Sequence, residues 1–291
     1  MRNFFYFLLI SALSVLPLLA QAQEAPYFVT YDHHLEEPGN LEFSPAVTFR
    51  VPRSGERFIF APYAEIEYGI TARWTTELYI EGQSTNGDSA VFTGWRLENR
   101  FRPLKREHRI NPILYFEFED INEASRISKE VVGHSLDIGI PNDALRRIPA
   151  REIETKLILS STVKDWNISE NFIFEKNLSK DEGIEFGYSF GAYRPLATLA
   201  SANKCRFCRE NFTAGAELYG GLGSTQAFGF KDTASYIAPV IAWQFSDNVT
   251  FRFSPAIGLT HGSNPALFRF STAYEVQNLR QKLAHLFGGN K

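Results

Sequence analysis

Three observations predict an all-β chain, a transmembrane antiparallel β-barrel of about 12 strands with short periplasmic turns and longer extracellular loops. Apolar residues alternate with charged or small ones through most of the sequence, an export signal stands at its start, and the connections between alternating segments are short on one side and long on the other. An exported chain whose segments are greasy on one face and ionised on the other must set the first against lipid and the second against water. A barrel does both.

The export signal is Arg2, the apolar run Phe4 to Leu19 and the small-x-small triplet Ala20-Gln21-Ala22, so residues 1–22 are expected to be removed and the mature chain to begin at Gln23. Residues 23–40 then read as an N-terminal periplasmic segment, 41–276 as an outer-membrane barrel and 277–291 as a periplasmic tail. No Pro/Gly/Ser-rich linker divides the barrel, so it is one domain. A hydrophobic content of 44% and a mean hydropathy of -0.21 do not separate a soluble chain from a barrel, because only every second strand residue meets lipid. The aromatic bias, 26 Phe and 12 Tyr against one Met, suits pleated surfaces and bilayer boundaries. A net charge of -3 excludes nucleic acid as an expected partner.

In the N-terminal segment, His33-His34-Leu35-Glu36-Glu37 contains metal-ligand chemistry, but adjacent side chains of an extended chain point apart, so a solvated segment is expected instead. Strands are expected near 41–51, 56–70, 73–84, 89–102, 111–119, 151–161, 165–177, 183–194, 211–222, 235–245, 249–260 and 265–276. In the second, Phe58, Phe60, Pro62, Ala64, Ile66, Tyr68 and Ile70 oppose Tyr63, Glu65 and Glu67. In the fourth, Val91, Thr93, Trp95, Leu97 and Phe101 oppose Gly94, Arg96, Glu98, Arg100 and Arg102. The seventh is irregular: Glu170 falls on the face of Trp166, Ile168, Phe172 and Phe174, which a bulge or a bulky neighbour would hide. Late in the chain, Ile237, Pro239, Ile241, Trp243 and Phe245 oppose small residues.

With both termini in the periplasm, the tight connections after Gly69, Thr162 and Ser246 fall on the inner side, and the long segment Asp120 to Ala150 falls outside. Trp74, Trp166 and Trp243 lie beside short inner turns and are expected at the periplasmic membrane boundary. Past the last strand, Leu279, Leu283 and Leu286 recur at helical spacing, suggesting a short helix in the tail.

The stretch Ala64-Glu65-Ile66-Glu67-Tyr68-Gly69-Ile70-Thr71-Ala72-Arg73-Trp74-Thr75-Thr76-Glu77-Leu78 resembles the strand, turn and strand of the outer-membrane channels grouped as the MetA-pathway-of-phenol-degradation family. Ala238 to Phe245 running into Val249 to Pro255 is similar to that family's late hairpin. The resemblance implies a transporter- or porin-like role in the outer membrane of a diderm bacterium. Many bacterial barrels end on an aromatic residue read by the assembly machinery; here Phe268 to Val276 would supply an internal version of it.

If the apolar faces meet lipid, the lumen receives Glu65, Glu67, Glu77, Glu81, Glu98, Glu117, Glu119, Glu152, Glu154, Glu175, Glu185 and Glu217, against Arg50, Arg96, Arg100, Arg102, Lys156, Arg252 and Arg269. Two outcomes follow from the same list. Carboxylate rings favour cations, giving a porin-like channel for small polar or cationic solutes, with 120–150 folding inward as a constriction. Alternatively the charges pair across the lumen and close it, giving a scaffold for envelope partners. An outer-membrane hydrolase is a third reading, because His261-Gly262-Ser263-Asn264 resembles the His-x-Ser-Asn stretch of outer-membrane phospholipases. No residue to orient the imidazole is evident there, and Ser-Asn-Pro is good turn chemistry. Cys205-Arg206-Phe207-Cys208 lacks the second pair of a zinc site and reads as a local disulfide. No cofactor, metal or catalytic residue is expected; the expected partners are membrane lipid, the assembly machinery and small solutes.

Overall fold

The computed structural model describes residues 25–127, 139–199, 205–230, 233–279 and 281–282. The export signal, the expected first mature residue, the centre of the 120–150 segment and the leucines at 283 and 286 lie outside the described residues. Among the described residues no helix is long and apolar enough to cross a membrane.

Twelve strands form one closed antiparallel ring: β1 (Leu41–Val51), β2 (Ile59–Thr71), β3 (Trp74–Thr85), β4 (Ala90–Phe101), β5 (Asn111–Asn122), β6 (Pro149–Val163), β7 (Trp166–Asn177), β8 (Glu185–Pro195), β9 (Phe212–Ser224), β10 (Ser235–Ser246), β11 (Val249–Gly258) and β12 (Ala266–Val276). Each strand pairs with its sequence neighbours, and β12 closes on β1 from Leu41 opposite Val276 to Val51 opposite Ala266. Closure leaves no unpaired strand edge, which a bilayer would penalise heavily. Strand ends depart from the expected ones by three residues at most.

Side chains alternate as the period of two requires. Phe43, Ile80, Leu114, Phe172, Ile241 and Phe270 are exposed on the outer surface, while Glu77, Glu98, Glu117, Ser169, Glu217 and Thr250 on the same or adjacent strands are buried inside. So broad an apolar exterior over a polar interior is a lipid-facing surface. The β6–β7 turn is a two-residue hairpin in which Lys164 and Asp165 both take positive φ, 50° and 66°, the geometry whose twist matches its strands. Trp74, Trp166 and Trp243 all sit at this short-turn end, beside the β2–β3, β6–β7 and β10–β11 turns. Trp74 is stacked on Phe101, and Trp243 on Phe207 and Phe212.

Two expected faces are corrected. In β4 the alternation breaks: Val91 and Thr93 are buried and Phe92 is 61% exposed, opposite to a continuous outward face through Val91, Thr93 and Trp95. A bulge causes this. The β3–β4 register shifts between Glu81 and Gly82, and Gly94 adopts φ 142° with room for no side chain, since a Cβ would sit 2.3 Å from the Asp120 carbonyl oxygen. In β7, by contrast, Glu170 is exposed on the outer face with no bulge. The pairings Leu159 to Glu170 and Glu170 to Phe190 run in unbroken register.

The largest departure is the N-terminal segment. Expected to be solvated, it lies inside the barrel, with Tyr27, Val29, Thr30, Asp32 and His33 all buried. It leaves the interior at the short-turn end, where Pro38 bridges Gly69 and Gly39 donates to the Gly69 carbonyl at 2.7 Å. At the tail, the Leu279 amide donates to the Gly39 carbonyl at 2.8 Å, so chain entry and exit are fastened together.

Candidate functional site

The inner wall carries its ionised groups because each faces inward at alternate positions of a strand. Two arginines of β4 organise the acids around them. Arg96 reaches Glu81 at 2.6 Å and Glu117 at 3.3 Å; Arg100 reaches Glu67 at 2.6 Å, Glu98 at 3.0 Å and also Glu77. Lys156 of β6 pairs with Glu154 at 3.0 Å, and Arg252 of β11 approaches Glu42 at 3.8 Å. Aromatic rings complete these clusters: Arg96 lies 4.4 Å over the Tyr79 ring, and Lys156 lies 4.5 and 4.2 Å from the Tyr31 and Tyr115 rings. Glu119, Glu152 and Glu175 converge nearer the long-loop end, with carboxylate oxygens within 4.8 Å of one another. Glu185 is half-buried at the start of β8, opposite Glu175. Arg269 lies 5.3 Å from the Tyr219 ring. Arg50 is held by Glu56 and by the Arg57 carbonyl, near the long-loop rim.

Against this wall the N-terminal segment is bound chiefly through its backbone. The Glu217 carboxylate accepts three successive amides, from Phe28 at 3.1 Å, Val29 at 2.9 Å and Thr30 at 2.6 Å. Asn171 of β7 receives the Tyr31 amide at 2.7 Å and donates back to the Tyr31 carbonyl at 2.9 Å. The Tyr31 hydroxyl donates to Glu98 at 2.8 Å, Tyr193 donates to Asp32 at 2.9 Å, and Arg102 donates to the His33 carbonyl at 2.6 Å. Tyr27 packs edge-on to Tyr193 and lies where a Cβ on Gly191 would collide with its ring at 2.5 Å, so that glycine makes the approach possible. β7, β8 and β9 thus form one wall of contact, and β4 with β6 the other.

Charge states within the segment follow its surroundings. Burial raises the Asp32 carboxyl, but His34 beside it and the hydrogen bonds from that residue prevail and hold it at about 2. Asp32 in turn raises His34, while burial lowers His33. Burial, reinforced by Glu42 and Glu275, pushes Glu36 up to about 8. A neutral Glu36 can therefore rest among acids at pH 7.

A cavity of about 790 Å³ remains beside the segment. Glu42, Glu65, Glu67, Glu77, Arg96, Arg100, Arg252 and Arg269 line it, and it extends to Asp247, Glu275 and Asn278 at the short-turn end. Towards the long-loop end the described parts of the 120–150 segment fold inward. Ile127 packs on Ile59 and Ala61, and Leu145, on the short helix α1 (Asn142–Leu145), packs on Val91 and Ala124. The Asn142 side chain accepts from Gln83 at 3.1 Å and Thr85 at 3.2 Å and donates to the Ser89 carbonyl at 2.6 Å.

Two other candidates resolve differently. Cys205 and Cys208 are joined in a disulfide. The Ser263 hydroxyl is bonded to the Ser235 amide and carbonyl, at 2.8 and 2.7 Å, and to Thr260 at 2.7 Å, whereas His261 is exposed and engages Arg53 through its carbonyl. Ser263 ties β10 to the β11–β12 loop. The anchors Asn171, Tyr193 and Ser160, the last with its Oγ 2.7 Å from His33 Nδ1, were not expected from sequence, since each is an ordinary inward polar residue until its partner is known.

No family model matches the chain and no curated protein is similar to it, so the likeness of its hairpins to the MetA-pathway channels is not matched by a family model. Among solved structures, an outer-membrane channel from Pseudomonas putida F1 aligns over 86% of this chain and 100% of its own, at 10% identity and a TM-score of 0.53. This chain has an outer-membrane barrel fold. The KdgM porin in complex with disordered oligogalacturonate aligns over 81% and 98% of the two chains (7% identity, TM-score 0.49), and the NanC porin over 81% and 100% (12%, 0.46).

Proposed function

We propose that this barrel is a porin-like channel of a diderm outer membrane, described here in its closed state and passing small polar or cationic solutes when its internal segment moves. The carrying observation is how residues 25–34 are held: their backbone, which has no strand partner of its own, donates to Glu217 and Asn171 and accepts from Arg102, and the Tyr31 hydroxyl donates to Glu98. Such bonds exchange with water at a net cost of about 0.5–1.5 kcal/mol each between neutral groups and about 1.5–3 kcal/mol where one partner is charged, and no strand pairing has to break, so the segment is a removable occupant. Inward carboxylates outnumber inward cations among the described residues, which favours cation passage. The apolar exterior supports a membrane location, and the internal aromatic stretch Phe268 to Val276 suits recognition by the assembly machinery.

The scaffold reading keeps one specific support, the sharing of Arg96 and Arg100 among five acids, which knits the wall across β2, β3, β4 and β5. Planar-bilayer recordings separate the two. The intact chain is expected to be closed with rare openings, and a chain lacking residues 25–37 to conduct steadily with cation preference. Silence from both proteins would favour the scaffold; anion preference would end the cation reading.

A further inference from the structure

Where the internal segment meets the β4–β5 connection, His33, His34 and Glu107 come together, with one ring nitrogen of each histidine and one carboxylate oxygen of Glu107 all within 4.8 Å. The adjacent histidines, expected to point apart, instead stack with ring centroids 4.3 Å apart. Each is oriented through Nδ1. His33 Nδ1 is 2.7 Å from Ser160 Oγ, and His34 Nδ1 is 2.8 Å from Asp32 Oδ2. Metal-binding imidazoles are commonly held this way, one nitrogen on an oxygen of the protein and the other on the ion.

A second observation points to a ligand. His33 is fully buried, yet its Nε2 has no hydrogen-bond partner. A buried polar atom left unpaired costs about 1–3 kcal/mol, and native proteins rarely leave one without a role. His34 is 45% exposed at its side chain and Glu107 is exposed, so an ion can reach the cluster from solvent.

We propose that His33, His34 and Glu107 form a binding site for a zinc-type divalent ion, which clamps the internal segment to the rim of the barrel. Two imidazoles and a carboxylate suit Zn²⁺, with water in the fourth position. Tetrahedral bonds of 2.0–2.1 Å would set the ligand atoms about 3.4 Å apart, a closure that the exposed side chains of His34 and Glu107 can make by rotation. Two nearby cations, Arg102 on the His33 carbonyl at 2.6 Å and Arg100 on the His34 carbonyl at 3.4 Å, fix the backbone that carries both imidazoles. Asp32 and Glu107 offset the charge of Arg102, and Arg100 is paired with Glu67, Glu77 and Glu98. The site rests on this geometry and stands whether or not the lumen conducts.

The test is calorimetric titration of ZnCl₂ into the chelator-stripped, detergent-folded protein carrying no histidine tag, followed by the same titration of His34→Gln and Glu107→Gln. The wild type is expected to take up one equivalent, and each variant to bind at least about tenfold more weakly. Glu107 is exposed outside the strands, so loss of binding in that variant does not reflect a failed barrel. No uptake by the wild type, or equal affinity in the variants, which would assign the ion to surface histidines such as His108, overturns the proposal.

Discussion

Replacing Glu217 by alanine is expected to release the internal segment while leaving the barrel closed. Its carboxylate is the acceptor for three consecutive amides, two of them buried, 187 to 189 residues away in sequence, and β9 is paired on both sides through its own backbone. Hydrogen bonds to a charged group contribute about 1.5–3 kcal/mol each. Water entering the lumen recovers part of that, so a net loss of about 3 kcal/mol, over 100-fold in the docking equilibrium, is a reasonable scale. Hydrogen exchange at the amides of Phe28, Val29 and Thr30 should accelerate by that factor, with strand amides unchanged. Glu217→Gln, which keeps an acceptor oxygen, should fall between. Unaltered exchange in the alanine variant would show that the segment is held elsewhere.

The second large effect is on the barrel itself. Arg100→Met preserves a long apolar stem but strips the guanidinium from between Glu67, Glu77 and Glu98, leaving three neighbouring inward carboxylates without it. Breaking a buried ion pair from one side costs about 3–5 kcal/mol, and shared acids place this case towards the upper end. Urea unfolding in detergent should show that loss, and adding Glu98→Gln to the variant should restore part of it. A midpoint unchanged by Arg100→Met would mean that the cluster is already solvated and contributes little.

Much of this architecture is legible from residues alone because a strand's faces repeat every two residues. Phe58 to Ile70 and Ile237 to Phe245 announce their outward sides without any knowledge of the ring, and Trp74, Trp166 and Trp243 mark one end through the turns beside them. The same rule misplaces Val91 and Thr93. Gly94 looks like any small inward residue in sequence, and only the approach of Asp120 from β5 makes a bulge there necessary. Glu170 shows the converse: an acid that breaks the outward pattern needs no bulge, and the register simply carries it to the outer surface.

Pattern by itself therefore determined the barrel and its number of strands, since these depend on local alternation summed along the chain. Tertiary structure alone decided what fills that interior. His33, Tyr31 and Asp32 look like solvated residues ahead of a strand until ring closure brings Ser160, Asn171 and Tyr193 around them, from 127 to 161 positions away. Contacts at such separations exist only once all twelve strands enclose a common space, and no period within the sequence encodes them.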